Sequence, residues 1–256
     1  MRVKKLNEVK GIRIRTLGDC TNFGGLDLVG NKLYTIKTAR SNTVSYISEY
    51  PSYTSENGRT SHRYENCLNH GNDIAYHDGN IYVAPCSQFC EVVSTDTWTH
   101  RRIGSDVFVS AIAHYSGKKF IALTESGGTT YKLALVKDTG GNLTLIDSWV
   151  VSNPMASEGY TVSQGMAYNK GQQEIYVVFT NVDYQRNVII RSGIYASEPD
   201  TVYKSKKSAN GRYELEGIGF TKKGKMIIGS NMPSGRDMIF TSNVSIRTTK
   251  EDAVNV

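Results

Sequence analysis

Short apolar runs alternate with polar turns along the whole chain, and five of the runs open in the same way. The openings are Gly24-Gly25-Leu26-Asp27-Leu28, Asn72-Asp73-Ile74-Ala75-Tyr76, Ser110-Ala111-Ile112-Ala113-His114, Gln164-Gly165-Met166-Ala167-Tyr168 and Glu216-Gly217-Ile218-Gly219-Phe220. Each leads through a turn into a second apolar run. His77-Asp78-Gly79-Asn80, for example, joins Ile74-Ala75-Tyr76 to Ile81-Tyr82-Val83-Ala84, and Asp-Gly between apolar runs marks a hairpin. The other turns fall at Gly30-Asn31, Ser116-Gly117, Lys170-Gly171 and Lys223-Gly224. Weaker alternation predicts further strands at 44–47, 90–93, 131–136, 143–146, 188–191, 201–203 and 238–241. No helical period is sustained over the length a helix needs.

Taking the second residue of each opening as a marker, the copies are 48, 38, 54 and 52 residues apart. A strand-only repeat near that length predicts a β-propeller. The expected fold is therefore all-β: a single domain over 1–256 forming a five-bladed β-propeller, with about four antiparallel strands per blade. The final blade is short of a strand. Val3-Lys4-Lys5-Leu6 or Ile12-Arg13-Ile14 is expected to close the ring from the N-terminal side, with 244–247 as the competing donor. Blade A-strands crowd the axis, so small residues at Gly25, Ala111, Gly165 and Gly217 read as packing. Asp73 breaks that rule.

Composition narrows the function little. The 256 residues carry a formal charge of +6, with bases scattered among acids. Lys4-Lys5, Arg101-Arg102 and Lys204-Ser205-Lys206-Lys207 read as solvated strand edges, and no nucleic acid partner is expected. No apolar run long enough for a signal peptide or a membrane span is present, so no membrane association is expected. Cys20, Cys67, Cys86 and Cys90 read as reduced thiols, with one disulfide in the second blade as the alternative. Cys67, His70, Cys86 and Cys90 form a weak zinc candidate with looser spacing than a C-x2-C knuckle, and no cofactor is expected. Phosphate loops, G-x-S-x-G and H-E-x-x-H are absent from the sequence.

Polar residues before or at the markers are expected at one end of the axis: His70, Asn72, Asp73, Gln164, Glu214 and Glu216. The plainest reading is a hydrogen-bonding, water-lined rim. A ligand-binding reading adds aromatic faces for sugar C–H surfaces, from Tyr76, Tyr115, Tyr160 and Tyr168. A glycoside hydrolase reading takes Asp73 and Glu216 as the catalytic carboxylates. Against it, the first and third openings offer Gly24-Gly25 and Ser110-Ala111 where acids would be needed.

The run His70-Gly71-Asn72-Asp73-Ile74-Ala75-Tyr76 resembles the H-x-N-D-hydrophobic opening of five-bladed propellers in phage tail receptor-binding proteins and helveticin-type bacteriocins. Gln164-Gly165-Met166 and Glu216-Gly217-Ile218 are similar to the later-blade versions of it. The resemblance implies a non-enzymatic binding platform for a cell-surface glycopolymer such as teichoic acid. It also implies a place on a virion among other tail proteins, with a secreted protein or a ligand-free virion scaffold as alternatives. The first opening, Asn22-Phe23-Gly24-Gly25, departs from the pattern.

Overall fold

The computed structural model describes residues 1–206, 213–232 and 237–246. Apart from one 3-10 turn at Ala156–Glu158, the regular structure among the described residues is strand. The first sheet holds β3 (Asn22–Val29), β4 (Lys32–Thr38), β5 (Val44–Tyr50) and β6 (Thr60–Glu65) in sequential order. An eight-stranded sheet consists of two antiparallel meanders. One is β7 (Asp73–His77), β8 (Asn80–Ala84), β9 (Ser87–Ser94) and β10 (His100–Val109); the other is β11 (Ala111–Ser116), β12 (Lys119–Ser126), β13 (Thr130–Asp138) and β14 (Asn142–Ser152). Their outer strands β10 and β14 join in parallel at Gly104↔Asn142 and Ser105↔Leu143.

A five-stranded sheet holds β15 (Tyr160–Asn169), β16 (Glu174–Asn181), β17 (Asn187–Gly193) and β18 (Thr201–Lys204), with β1 (Arg2–Lys5) parallel to β18. The last sheet holds β19 (Glu214–Phe220), β20 (Lys225–Asn231), β21 (Met238–Ser245) and β2 (Glu8–Arg13), which pairs antiparallel with β21. Of the two N-terminal segments expected to close the ring, the one containing Ile12 does so. Val3-Lys4-Lys5 lies on the preceding sheet instead. Residues 244–246 are not a separate strand, because β21 runs through Val244 and Ser245. Lys207 and Arg247 lie outside the described residues.

All five predicted openings are innermost strands. They contact one another in a closed circuit, β3 to β7 to β11 to β15 to β19 and back to β3. Apolar side chains fill the wedges between neighbouring sheets. Phe23, Leu26, Leu33 and Tyr50 of the first sheet pack on Ile227 and Ile239 of the last, for instance, and Leu133 and Val151 pack on Val177 and Phe179. The small markers are required by this crowding. A Cβ on Gly217 would sit 2.5 Å from the Leu26 amide nitrogen, and one on Gly25 would sit 2.7 Å from the Asp73 Cα and Oδ1. Backbone atoms cannot yield as a flexible side chain does. Gly217→Ala is therefore expected to lower stability by about 1–3 kcal/mol, seen as a lower urea midpoint with an unchanged slope. An unshifted midpoint would show that the inner strands have room to move apart.

A buried ion pair and a buried carboxyl tie strands of different sheets together. Lys37 of β4 and Asp237, just before β21, form an ion pair at 2.6 Å with both side chains shielded from solvent. It joins the first sheet to the last, where Ile14 N–H also donates to the Asp237 carbonyl. Asp73 is fully buried at the head of β7. Its Oδ2 accepts N–H bonds from Ile112 of β11 at 3.2 Å and Met166 of β15 at 3.0 Å. One carboxyl thus reaches two other inner strands, while its Oδ1 has no hydrogen-bond partner.

Candidate functional site

The ring has two mouths, and the predicted site residues divide between them. The first is a cavity of 1080 Å³ lined by His70, Asn72, Gln164, Glu214 and Glu216, all predicted, together with Asn22, Asn231, Arg40, Asp19, Ser110, Cys86 and Tyr184. Local strand geometry turns these groups inward. The pairing of β3 with β4 shifts register between Phe23 and Gly25, that of β15 with β16 between Ser163 and Met166, and that of β19 with β20 between Leu215 and Ile218. The bulged inner strands re-aim the residue before the small marker, which is how Gln164 and Glu216 reach the mouth.

A carboxamide network orders the acids. Asn231 Nδ2 donates to Asn22 Oδ1 at 2.7 Å, to Glu214 Oε2 at 3.2 Å and to Glu216 Oε1 at 3.4 Å. Gln164 Nε2 donates to Glu214 Oε1 at 3.2 Å. Asn72 Nδ2 donates to the Ser110 carbonyl, 2.8 Å away. Glu214 and Glu216, two residues apart on one strand, therefore present their carboxyl groups side by side. Both are buried. His70 pairs with Asn42 through Nδ1 at 3.2 Å, and burial holds its pKa below the usual imidazole value against the pull of Glu214. Among the described residues of this lining, three acids (Asp19, Glu214 and Glu216) stand against one guanidinium, Arg40. The described lining is thus acidic on a chain that is basic overall. Asn22 and Asn231 were missed in the sequence. The register Glu214↔Asn231 is the signal that places Asn231 beside the acids once the hairpin is known.

Asp73 does not line this mouth. It is sealed below it, where burial drives its pKa well up against the N–H donors of Met166, Ile112 and Ile74. The carboxyl groups that share a donor in the mouth are Glu214 and Glu216, whereas Asp73 is absent from the lining. The zinc candidates are likewise dispersed. Cys90 is buried among the apolar side chains between β7–β10 and β11–β14 and donates to the Val83 carbonyl at 3.1 Å, whereas Cys86 faces the mouth. Burial pushes the Cys86 thiol up to about 11 and raises those of Cys67 and Cys90, so these groups are protonated thiols near neutral pH. Among the described residues no group of three or more His, Cys, Asp or Glu is placed to hold a metal, and the four cysteines are free thiols.

Tyr76 and Tyr168 lie at the opposite mouth, a 660 Å³ cavity that also contains Asp27, His77, His114, Tyr115 and Phe220. Tyr160 lines neither mouth and is buried in the apolar core. The expected pairing of Asn72, Gln164 and Glu216 with Tyr76 and Tyr168 in one site is not formed.

No protein-family model matches the chain, and no curated protein sequence matches it significantly. Solved structures do match. Glutaminyl cyclase from Myxococcus xanthus superposes with a TM-score of 0.64 at 12% identity, over 96% of this chain and 99% of that one. A luciferin-regenerating enzyme gives a TM-score of 0.52 at 13% identity, over 94% of this chain and 98% of that one. Regucalcin from Agrobacterium tumefaciens, described as a calcium-binding protein, gives 0.52 at 9% identity, over 97% of each chain. Likeness at such identities carries architecture and not chemistry. The chain has an all-β, propeller-type fold.

Proposed function

We propose that this chain is a five-bladed propeller that recognises a hydroxyl-rich surface glycan at its acidic mouth. Five meanders and a closed circuit of five inner strands support the blade count. The observation that carries the functional reading is the joint anchoring of Glu214 and Glu216 by Asn231, with Gln164 and Asn72 beside them. Side-by-side carboxylates and amides, held in fixed positions by one another, are suited to accept and donate to adjacent sugar hydroxyls without reorganising. The H-x-N-D resemblance suggests attachment of a virion to a bacterial wall as the setting, in company with other tail proteins. Within such a wall polymer the mouth favours sugar units, since the paired acids repel phosphodiesters.

The test is retention on purified walls and on neutral glycan panels. Glu214→Gln and Glu216→Gln each replace a charged acceptor with a neutral one. Each is expected to weaken binding about ten- to a hundredfold, the range for one hydrogen bond to a charged group. Wild-type retention by the double variant sinks the reading. Release of reducing sugar, abolished by Glu216→Gln, would instead make the chain a hydrolase working through Glu214 and Glu216.

A further inference from the structure

The second mouth has chemistry of its own. Asp27 lies in the middle of β3, half-buried, with Oδ2 accepting the Tyr76 N–H at 2.6 Å and Oδ1 accepting the Leu28 N–H at 2.7 Å. These bonds fix the carboxyl and leave further lone pairs on each oxygen. Around it the cavity is walled by rings. Tyr76 stacks on Tyr34 with centroids 5.3 Å apart, and Tyr115 leans on Tyr168 at 5.1 Å. His77 stacks on His114 at 4.3 Å. Burial holds the His114 pKa below its ordinary value, and its Nε2 lies 2.9 Å from the Gly117 carbonyl, so the ring is a neutral donor there. Phe220 completes the wall. The exposed Lys170 and Lys222 stand on hairpin turns at the lip of the same cavity.

A fixed carboxyl among aromatic faces is the arrangement that holds an organic ammonium, through charge and through the ring quadrupoles. One acid, Asp78, stands on another hairpin turn of the same lip, so two lysines against one carboxylate leave it net positive, which disfavours a bare cation and attracts an anionic group attached to it. We propose that this mouth binds a small zwitterion carrying an ammonium at one end and a phosphate at the other, as in a phosphorylated amino alcohol. The ammonium meets Asp27 and the tyrosine rings, and the phosphate meets Lys170 and Lys222. This site shares no lining residue with the acidic mouth and stands whether or not that mouth binds glycan.

Phosphocholine, choline and inorganic phosphate are the probes, titrated into the intact protein and followed by calorimetry or by the ring resonances of Tyr76 and Tyr168. Phosphocholine is expected to saturate and to bind at least tenfold more tightly than either choline or phosphate. Asp27→Asn keeps an acceptor for the Tyr76 N–H and is expected to weaken phosphocholine binding at least tenfold. The double variant Lys170→Ala and Lys222→Ala, both at exposed turns, is expected to erase the advantage of phosphocholine over choline. Glu216→Gln at the other mouth is expected to change nothing here. No saturable phosphocholine binding, undiminished binding by Asp27→Asn, or phosphate competing as well as phosphocholine would each overturn the proposal.

Discussion

Lys37→Met is expected to destabilise the protein by about 3–5 kcal/mol at neutral pH, enough to unfold a domain of ordinary stability at growth temperature. The Lys37 side chain is 1% exposed and Asp237 fully buried, so water cannot replace the lost partner. Asp237 is also committed elsewhere, with Oδ1 accepting the Met232 N–H at 2.9 Å. Methionine matches the lysine stem in volume, which confines the effect to charge. In the intact protein burial already raises the Asp237 pKa, while Lys37 opposes the rise. Removing Lys37 leaves burial, the largest influence, opposed only by the Met232 N–H. A carboxyl whose folded pKa exceeds its unfolded value binds its proton more tightly when folded. Its penalty is therefore absent below the unfolded pKa, near 4, and grows as pH rises towards the folded one. The deficit of Lys37→Met should accordingly shrink as urea denaturation is moved from pH 7 to pH 4. Adding Asp237→Asn, which retains the acceptor for Met232, should restore most of the loss at pH 7. A single variant as stable as wild type at pH 7 would show that the pair contributes nothing to holding the first sheet to the last.

The second large effect is expected at Asp73. Asp73→Ala strips the acceptor from the Ile112 and Met166 amides in a place closed to water. Each orphaned donor costs about 1–3 kcal/mol, so the loss should lie at about 2–6 kcal/mol. Asp73→Asn keeps an oxygen for those amides and carries no charge. Because burial sets the folded pKa of Asp73 well above its unfolded value, the wild-type protein loses stability as pH climbs from about 4. The asparagine variant has no such slope. Chemical denaturation at pH 4, 6 and 8 should show Asp73→Asn gaining on wild type with each step, and parallel curves would mean that the carboxyl carries no ionisation penalty. Neither outcome depends on the ligand of either mouth.

The inner hairpins were legible because they obey two rules at once. They alternate strongly, and their small markers sit where neighbouring backbones nearly touch, so chain pattern and packing carry the same signal. The outer strands obey neither rule. β6, Thr60–Glu65, has one buried residue, and β10, His100–Val109, buries only Ile103 and Val109, so no sustained apolar alternation announces them. Pairing decides those segments, through contacts with β5, β9 and β14 that a local reading cannot see. The site was half legible for a related reason. Asn72, Gln164, Glu214 and Glu216 were found because they fill one slot of the repeat or lie beside it. Yet successive side chains on a strand point to different places, and an opening of five residues runs from one mouth to the other. Asn72 and Tyr76 are four residues apart and face opposite ends of the ring. Asp73, between them, marked the axis correctly but as a buried tie between strands rather than a group open to ligand.

The N-terminal strands β1 and β2 also bear on how the molecule comes into being. Their partners, β18 and β21, lie roughly two hundred residues further along the chain. A polypeptide emerging in order makes Arg2–Arg13 early and cannot use them until almost everything else has been synthesised. Until then the five-stranded sheet and the last sheet each keep a bare edge, and the wedge between the last and first sheets stays open. Circularity is thus acquired in one late, long-range step, the kind that slows folding and leaves strand edges free to find the wrong partner.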